Sequence, residues 1–249
     1  MIIAIIQARM SSTRLPGKVL MDLAPGVSVL EFMLERISRS KEITKTVVAT
    51  TENPNDKALI ERLEKMDQPY FVGSEDDVLD RYYQAAKKFG AKSGDIIVRI
   101  TSDCPVIDPE IIDKTIRFYK EGNFDYATNN REPYVYPDGM DTEVCSFDAL
   151  ERAWKEATKP SHREHVTFHF WQHQKEFKIG QYGNEKPNQG DYRLTLDYPS
   201  DYELLKRACE HFSPRRDFTM QEIIDFLDAN PEIKALNADA ARNAAFKTA

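Results

Sequence analysis

The chain has 249 residues, of which 41% are hydrophobic and 30% charged; Lys plus Arg is 34 against 41 Asp plus Glu, a formal net charge of −7. That length suits one large domain or two small ones, and an α/β domain of this size buries roughly 70–75% of its unfolded surface without a disulfide or metal staple. The acidic balance argues against a protein that coats DNA or RNA, while leaving room for a local basic loop that meets a nucleotide. No apolar stretch approaches the roughly 18 residues of a membrane span. Met1 to Ile6 is apolar with no basic segment before it, so it reads as a buried first strand and not as a leader. Cys104, Cys145 and Cys209 are far apart and odd in number. They predict no disulfide framework and no cysteine zinc site, and point to a reducing, cytoplasmic setting.

In chain order, Ile2 to Ile6 is a continuous β-branched run, the mark of a strand covered on both faces. A polar loop follows, Gln7 to Lys18. Val29 to Ile37 reads as a helix with Leu30, Met33, Leu34 and Ile37 on one face. Thr46 to Ala49 is a second buried strand. Asn53-Pro54 opens a helix carrying Ala58, Leu59 and Leu63. Tyr70 to Val72 is a short strand, and Ser74-Glu75-Asp76-Asp77 caps the helix carrying Val78, Leu79, Tyr82 and Ala86, which Gly90 to Gly94 ends. Asp95 to Ile100 is a third strong strand, and Pro109 opens a helix through Tyr119. The series predicts an α/β fold, a mostly parallel twisted sheet with helices on both faces. Ligands of such sheets bind at the carboxyl ends of the strands, which places Gln7–Lys18, Thr50–Asn53, Gly73–Asp77 and Thr101–Pro105 around one crevice.

After Asn129 the pattern changes. Residues 129–140 are loop-like, Val144 to Phe147 is a strand candidate, and Phe147 to Ala157 a helix. Ser161 caps a helix running to about Gln174. Lys178 to Tyr182 and Tyr192 to Leu196 are strand candidates, Asp201 to Phe212 and Met220 to Leu227 helices, and residues 236–249 a helical or frayed tail. The whole is read as a single domain, 1–249, with a 129–175 subregion for acceptor binding and dimerisation.

The segment richest in chemistry is Gln7-Ala8-Arg9-Met10-Ser11-Ser12-Thr13-Arg14-Leu15-Pro16-Gly17-Lys18. It holds three cations, two serines, a threonine and no acid, directly after a buried strand. Backbone N–H groups, hydroxyls and guanidinium forks of such a loop suit a polyphosphate; the alternative is a solvated surface loop. It is neither a Walker A loop nor a dinucleotide fingerprint, since it lacks Gly-Lys-Ser/Thr and no G-x-G-x-x-G occurs in the chain.

This loop resembles the signature of the cytidylyltransferases that activate acidic sugars with CTP, the enzymes for KDO and for sialic and pseudaminic acids. It is similar in particular to the branch named for the spore-coat polysaccharide protein SpsF. Three further stretches match that branch in order: Gly73 to Tyr82, Arg99 to Pro105 and Ser161 to Thr167. So does Leu194-Thr195-Leu196-Asp197-Tyr198-Pro199-Ser200-Asp201. The resemblance implies a GT-A-like nucleotidyltransferase fold, often dimeric, and Mg²⁺ dependence. It implies that Arg9, Arg14 and Lys18 hold the β and γ phosphates of CTP, with Met10, Ser11 and Ser12 in the same loop. Ala8, Ser74 and Thr101 then line the nucleoside pocket, and Asp103 and Asp197 hold the metal. One departure stands out: the KDO and sialic acid enzymes carry a glutamine near the position of Thr101.

Asp103 and Asp197 each follow a strand-like run, where a carboxylate can reach the crevice; the alternatives are that Asp103 caps the turn to Pro109 and Asp197 the helix from Ser200. Asp141 and Glu143, in Gly139-Met140-Asp141-Thr142-Glu143-Val144, share a face if this is a strand. With Arg163 and His165 they are the acceptor candidates. His162, His165, His169 and His173 fall at helical spacings, but neither H-E-x-x-H nor H-x-x-E-H occurs, so a polar helix face or acceptor contact is favoured over zinc. G-x-S-x-G is missing too.

The expectation is a Mg²⁺-dependent cytidylyltransferase that joins CMP from CTP to an acidic sugar with release of pyrophosphate, for surface polysaccharide. It is expected to be a cytoplasmic homodimer with no nucleic-acid partner and no membrane insertion. The alternative is a GT-A-type glycosyltransferase using an NDP-sugar, which commonly shows an Asp-x-Asp motif that Asp103-Cys104-Pro105 does not supply. A non-catalytic nucleotide-binding module is a third reading.

Overall fold

The computed structural model describes residues 1–183 and 189–240. The first strand, β1 (Ile2–Gln7), is buried on both faces because its side chains alternate between two cores. The other strands are β2 (Asp22–Ala24), β3 (Val27–Ser28), β4 (Lys45–Thr51), β5 (Tyr70–Gly73), β6 (Ile96–Thr101), β7 (Tyr126–Thr128), β8 (Glu143–Ser146) and β9 (Ile179–Gln181). Seven of them form one sheet in the order β5-β4-β1-β6-β8-β7-β9, while β2 and β3 make a separate hairpin. The pairs β5·β4, β4·β1, β1·β6 and β7·β9 are parallel, and β8 runs antiparallel to both its neighbours. The sheet is thus mostly parallel, with one reversed strand.

The helices are α1 (Val29–Ile37), α2 (Lys57–Lys65), α3 (Val78–Lys88), α4 (Pro109–Gly122), α5 (Phe147–Glu156), α6 (Pro160–Glu164), α7 (Phe168–Gln172), α8 (Pro199–Phe212), α9 (Met220–Ala229) and α10 (Pro231–Lys234). Ile3 and Ile5 face α3 and α5 through Leu79, Tyr82, Leu150 and Ala153. Ala4 and Ile6 face α1, α2 and α4 through Met33, Leu59, Leu63 and Ile116. A third core packs α8 and α9 against Leu23, Phe32, Leu194 and Leu196. Arg36 ties this layer to the rest: it is fully buried, and its guanidinium donates to the carbonyls of Ile107, Arg216 and Phe218 at 2.6–2.9 Å.

Two expectations need correction. The single helix from Ser161 to Gln174 is two short ones, α6 and α7, because Val166 takes φ +35° between them and breaks the ladder. Tyr192 to Leu196 is no sheet strand. It is an extended run making one isolated bridge, Arg193 to Asp138, and is held by side chains and the third core. The β2–β3 hairpin and the short β7 had no counterpart in the sequence reading. Of the tail at 236–249, the Ala235–Asn237 turn is a 3₁₀ helix, and 241–249 lies outside the described residues.

Candidate active site

The sequential order of the first parallel strands reverses between β1 and β6, the switch point where α/β sheets open a crevice at their carboxyl ends. There a cleft of about 510 Å³ collects residues from five segments. Arg9, Ser12, Thr13, Arg14 and Lys18 come from the loop after β1, and Thr101 and Asp103 follow β6. Asp141 and Glu143 come from the entry to β8, Glu164 and His165 from the end of α6, and Asp197 from the run before α8. With Arg99 of β6, four cations thus line one opening with a set of carboxylates.

The loop after β1 is stitched down along its length. The Ala8 N–H continues the sheet to the Ala49 carbonyl (3.2 Å), and Met10 N–H donates to Asp56 (2.7 Å). Asp56 is fully buried and also takes the hydroxyls of Thr50 and Thr51. Gly17, at φ +73°, turns the loop back so that its N–H meets the Met10 carbonyl at 3.0 Å. Glu75 receives the Ser11 hydroxyl and the Asn53 amide, both at 2.7 Å, with Arg9 3.4 Å away. These bonds hold its carboxyl below the usual range. The segments 50–53 and 73–77 therefore buttress the loop from behind and do not line the cleft.

Asp197 is the electrostatic hub. Its Oδ1 meets Lys18 Nζ at 3.1 Å, and its Oδ2 meets Arg14 at 2.7 Å and Arg193 at 3.4 Å. Burial works against its charge, but Lys18 and Arg14 outweigh it and hold the carboxyl below its ordinary value. Lys18 is 8% exposed and also donates to the Leu196 carbonyl at 2.5 Å. Behind it Arg193 spans Asp138 (2.8 Å) and Asp201 (2.9 Å), and Asp201 caps α8 through the Asp197 and Tyr198 N–H groups. Asp197 is therefore not the helix cap. For Asp103, the alternative is a cap on the turn to Pro109; the helix that turn leads into, α4, is capped by Asp108. The Asp103 carbonyl accepts from Leu196 N–H (2.7 Å) and the Thr195 hydroxyl (3.0 Å), which locks the two aspartate segments side by side. Its carboxylate takes the Thr101 hydroxyl at 2.5 Å. Gly139 makes this possible: at φ +103° it passes so close to Leu194 that a Cβ would lie 2.5 Å from its carbonyl carbon.

On the acceptor side, Asp141 precedes β8 and accepts from Asn130 (2.8 Å), and Glu143 pairs with Arg99 and takes the Tyr126 hydroxyl at 2.6 Å. Arg163 is elsewhere: its guanidinium is bound to Asp77 (2.5 Å) and to the Trp154 carbonyl (2.7 Å). Ser74 lies at the start of α3, where its hydroxyl accepts from Asp77 N–H, and Ala8, Met10 and Ser11 also sit off the cleft lining. His162, His169 and His173 pack on one another, His162 Nδ1 lying 3.2 Å from His169 Nδ1, while His165 faces the cleft. Among the described residues no three metal-ligating side chains cluster. Cys104 is buried, and burial, with Asp103 beside it, pushes its thiol well up.

The sequence reading missed Glu75, Asp56, Arg99, Asp138 and Arg193. Glu75 stands inside a matching motif and Arg193 one residue before another, so motif position was the available signal; Asp56 carried none.

A family model described as Cytidylyltransferase matches residues 3–223. An uncharacterized protein of Methanocaldococcus jannaschii is 41% identical over 96% of this chain and 95% of its own length. The spore coat polysaccharide biosynthesis protein SpsF of Bacillus subtilis is 33% identical over 93% of this chain and 95% of its own. The solved structure of a cytidylyltransferase from Leptospira borgpetersenii superposes with a TM-score of 0.84 at 36% identity, covering 94% of this chain and 96% of that one. With its mostly parallel sheet and its cation-lined cleft at the strand switch point, the chain belongs to the cytidylyltransferase family of nucleotidyltransferases.

Proposed function

We propose that the enzyme transfers CMP from CTP to a hydroxyl of an acidic sugar, in a Mg²⁺-dependent reaction serving surface polysaccharide synthesis. The observation that carries this reading is the convergence of Arg9, Arg14 and Lys18 with Asp103 and Asp197 on one cleft. The acceptor oxygen attacks the α-phosphorus, the bond from that phosphorus to the β-phosphoryl oxygen breaks, and pyrophosphate leaves while the hydroxyl proton goes to solvent. Such chemistry needs positioning and charge neutralisation more than a covalent nucleophile. Arg9, Arg14 and Lys18 hold the β and γ phosphates as they leave together as pyrophosphate. Asp103 and Asp197 suit Mg²⁺: both are hard oxygen donors on the cleft wall, and Mg²⁺ usually takes one or two carboxylates beside phosphates and waters. When bound, the ion supplies charge neutralisation at the phosphates and a lower pKa at the acceptor hydroxyl.

A panel of acidic sugars mixed with CTP and Mg²⁺ tests this reading by pyrophosphate release. Release that requires both CTP and an acidic sugar is expected. Turnover of an NDP-sugar without pyrophosphate would replace it with glycosyl transfer.

A further inference from the structure

Three cations converge on the Asp197 carboxylate. Oδ1 faces Lys18 Nζ at 3.1 Å, and Oδ2 faces Arg14 at 2.7 Å and Arg193 at 3.4 Å. Two of the three are fixed. The Lys18 and Arg193 side chains are 10% and 8% exposed; Lys18 is anchored on the Leu196 carbonyl, and Arg193 on Asp138 and Asp201. Arg14 differs. It stands with Thr13 on the exposed crest of the loop that the Gly17 N–H closes onto the Met10 carbonyl. Its side chain is 34% exposed, and its guanidinium carbon lies 5.0 Å from the Tyr198 ring centroid. With both carboxylate oxygens facing cations, a metal ion reaches Asp197 only by displacing one of them, and Arg14 is the one placed to leave.

We propose that Arg14 is an exchangeable latch: it covers the metal position at Asp197 until a nucleoside triphosphate draws it away, so that nucleotide and metal bind as a coupled pair. The inference rests on the CMP-transfer reading and adds to it how the site fills. A partly exposed ion pair costs little to break, whereas a triphosphate carries several charges and accepts the N–H fork of a guanidinium. Arg14 therefore gains by moving from Asp197 to the β and γ phosphates. Its departure uncovers Oδ2, and the phosphates that drew it off bring further oxygen ligands for the ion. Lys18 and Arg193 stay beside Asp197 and keep it ionised. Because coupling is reciprocal, the ion in turn strengthens nucleotide binding by keeping Asp197 from recapturing Arg14.

Two titrations test this. Mn²⁺ is titrated into the enzyme without nucleotide and followed by its electron paramagnetic resonance signal, and CTP is titrated in EDTA and followed by calorimetry. Arg14→Ala is expected to bind Mn²⁺ about threefold or more tighter than the parent, and Arg14→Lys to stay near the parent. Asp103→Ala in the Arg14→Ala background should remove the gain. Asp197→Asn is expected to bind metal-free CTP about threefold or more tighter than the parent, because Arg14 and Lys18 are released to the phosphates. A merely structural role for the Arg14–Asp197 pair would lower both affinities. The latch falls if Arg14→Ala leaves the Mn²⁺ affinity unchanged or lower, or if Asp197→Asn leaves metal-free CTP binding unchanged or weaker. A gain in Mn²⁺ affinity that survives Asp103→Ala places the ion elsewhere and overturns it too. If CTP and Mg²⁺ together give the parent no thermal shift, the CMP-transfer reading falls instead.

Discussion

The two sides of the active-site cleft are held by different physics. The phosphate side hangs from the ends of β1 and β6, whose register pairs Gln7 with Thr101, so its loops are aimed by a buried parallel sheet. The opposite side is carried by residues 129–175 and by the run before α8. Here single polar contacts do the aiming: Arg193 on Asp138 and Asp201, and Asn130 on Asp141. A strand end is placed by many cooperative hydrogen bonds, whereas a loop is placed by a few side chains. The second side should therefore respond more sharply to single polar substitutions and to mild acid.

The largest effects fall where the two sides meet. Asp103→Ala and Asp197→Ala should each lower pyrophosphate release by about 10²-fold or more while the far-ultraviolet dichroism stays native. A full-rate Asp197→Ala enzyme with unchanged Mg²⁺ dependence would sink the two-carboxylate site. Next is Arg36→Met, at the seam between the sheet and the C-terminal layer. Burial lowers the Arg36 pKa to about 10, so it stays charged at neutral pH, and its loss strands three carbonyls. Unfolding in urea should show a loss of about 3 kcal/mol or more. A loss below 1 kcal/mol, on the order of a surface change, would mean the seam is held by apolar packing alone.

Gly139→Ala sharpens the contrast further. The positive φ and the clash with Leu194 should cost about 1–3 kcal/mol. Because Leu194 leads to Asp197, activity should fall by more than stability alone explains. Equal falls would show that the run before α8 is not aimed through Gly139. The smallest effect is on pH. Burial, then the His173 charge, lowers the His169 pKa, so the unfolded chain binds the proton more readily. Stability present above about pH 6.5 is lost as pH falls through the lower native value. Asp197 is also depressed, but from a lower start. Its contribution is full above about pH 3.9 and disappears only as pH falls through its native value below that. Melting temperature against pH should thus decline in two stages, with His169→Gln flattening the first and Asp197→Asn the second. A single decline below pH 4 would remove the difference between the sides.

The same division governs what the sequence disclosed. On the sheet side, β-branched runs and capping residues mark the elements almost to the residue; Val29–Ile37 is the helix its apolar face predicts. The cleft at the ends of β1 and β6 followed from topology. On the other side the signals fail for physical reasons. Helical spacing of histidines persists across Val166, but the backbone turns there, so His165 goes to the cleft while three other histidines pack together. Leu194 and Leu196 alternate like a strand because the third core needs them, and no sheet neighbour pairs with them. The role expected of Arg163 is closed off by Asp77, a partner 86 residues earlier that no local pattern announces.

The most direct test is thermal stability with CTP, UTP, ATP and GTP, each with and without Mg²⁺. A ligand bound only to the native state at a hundredfold excess over its Kd adds about 2.7 kcal/mol of apparent stability. A Mg²⁺-dependent shift with CTP alone, lost in Asp103→Ala, is the predicted result. A shift with UTP, ATP or GTP and none with CTP would contradict it.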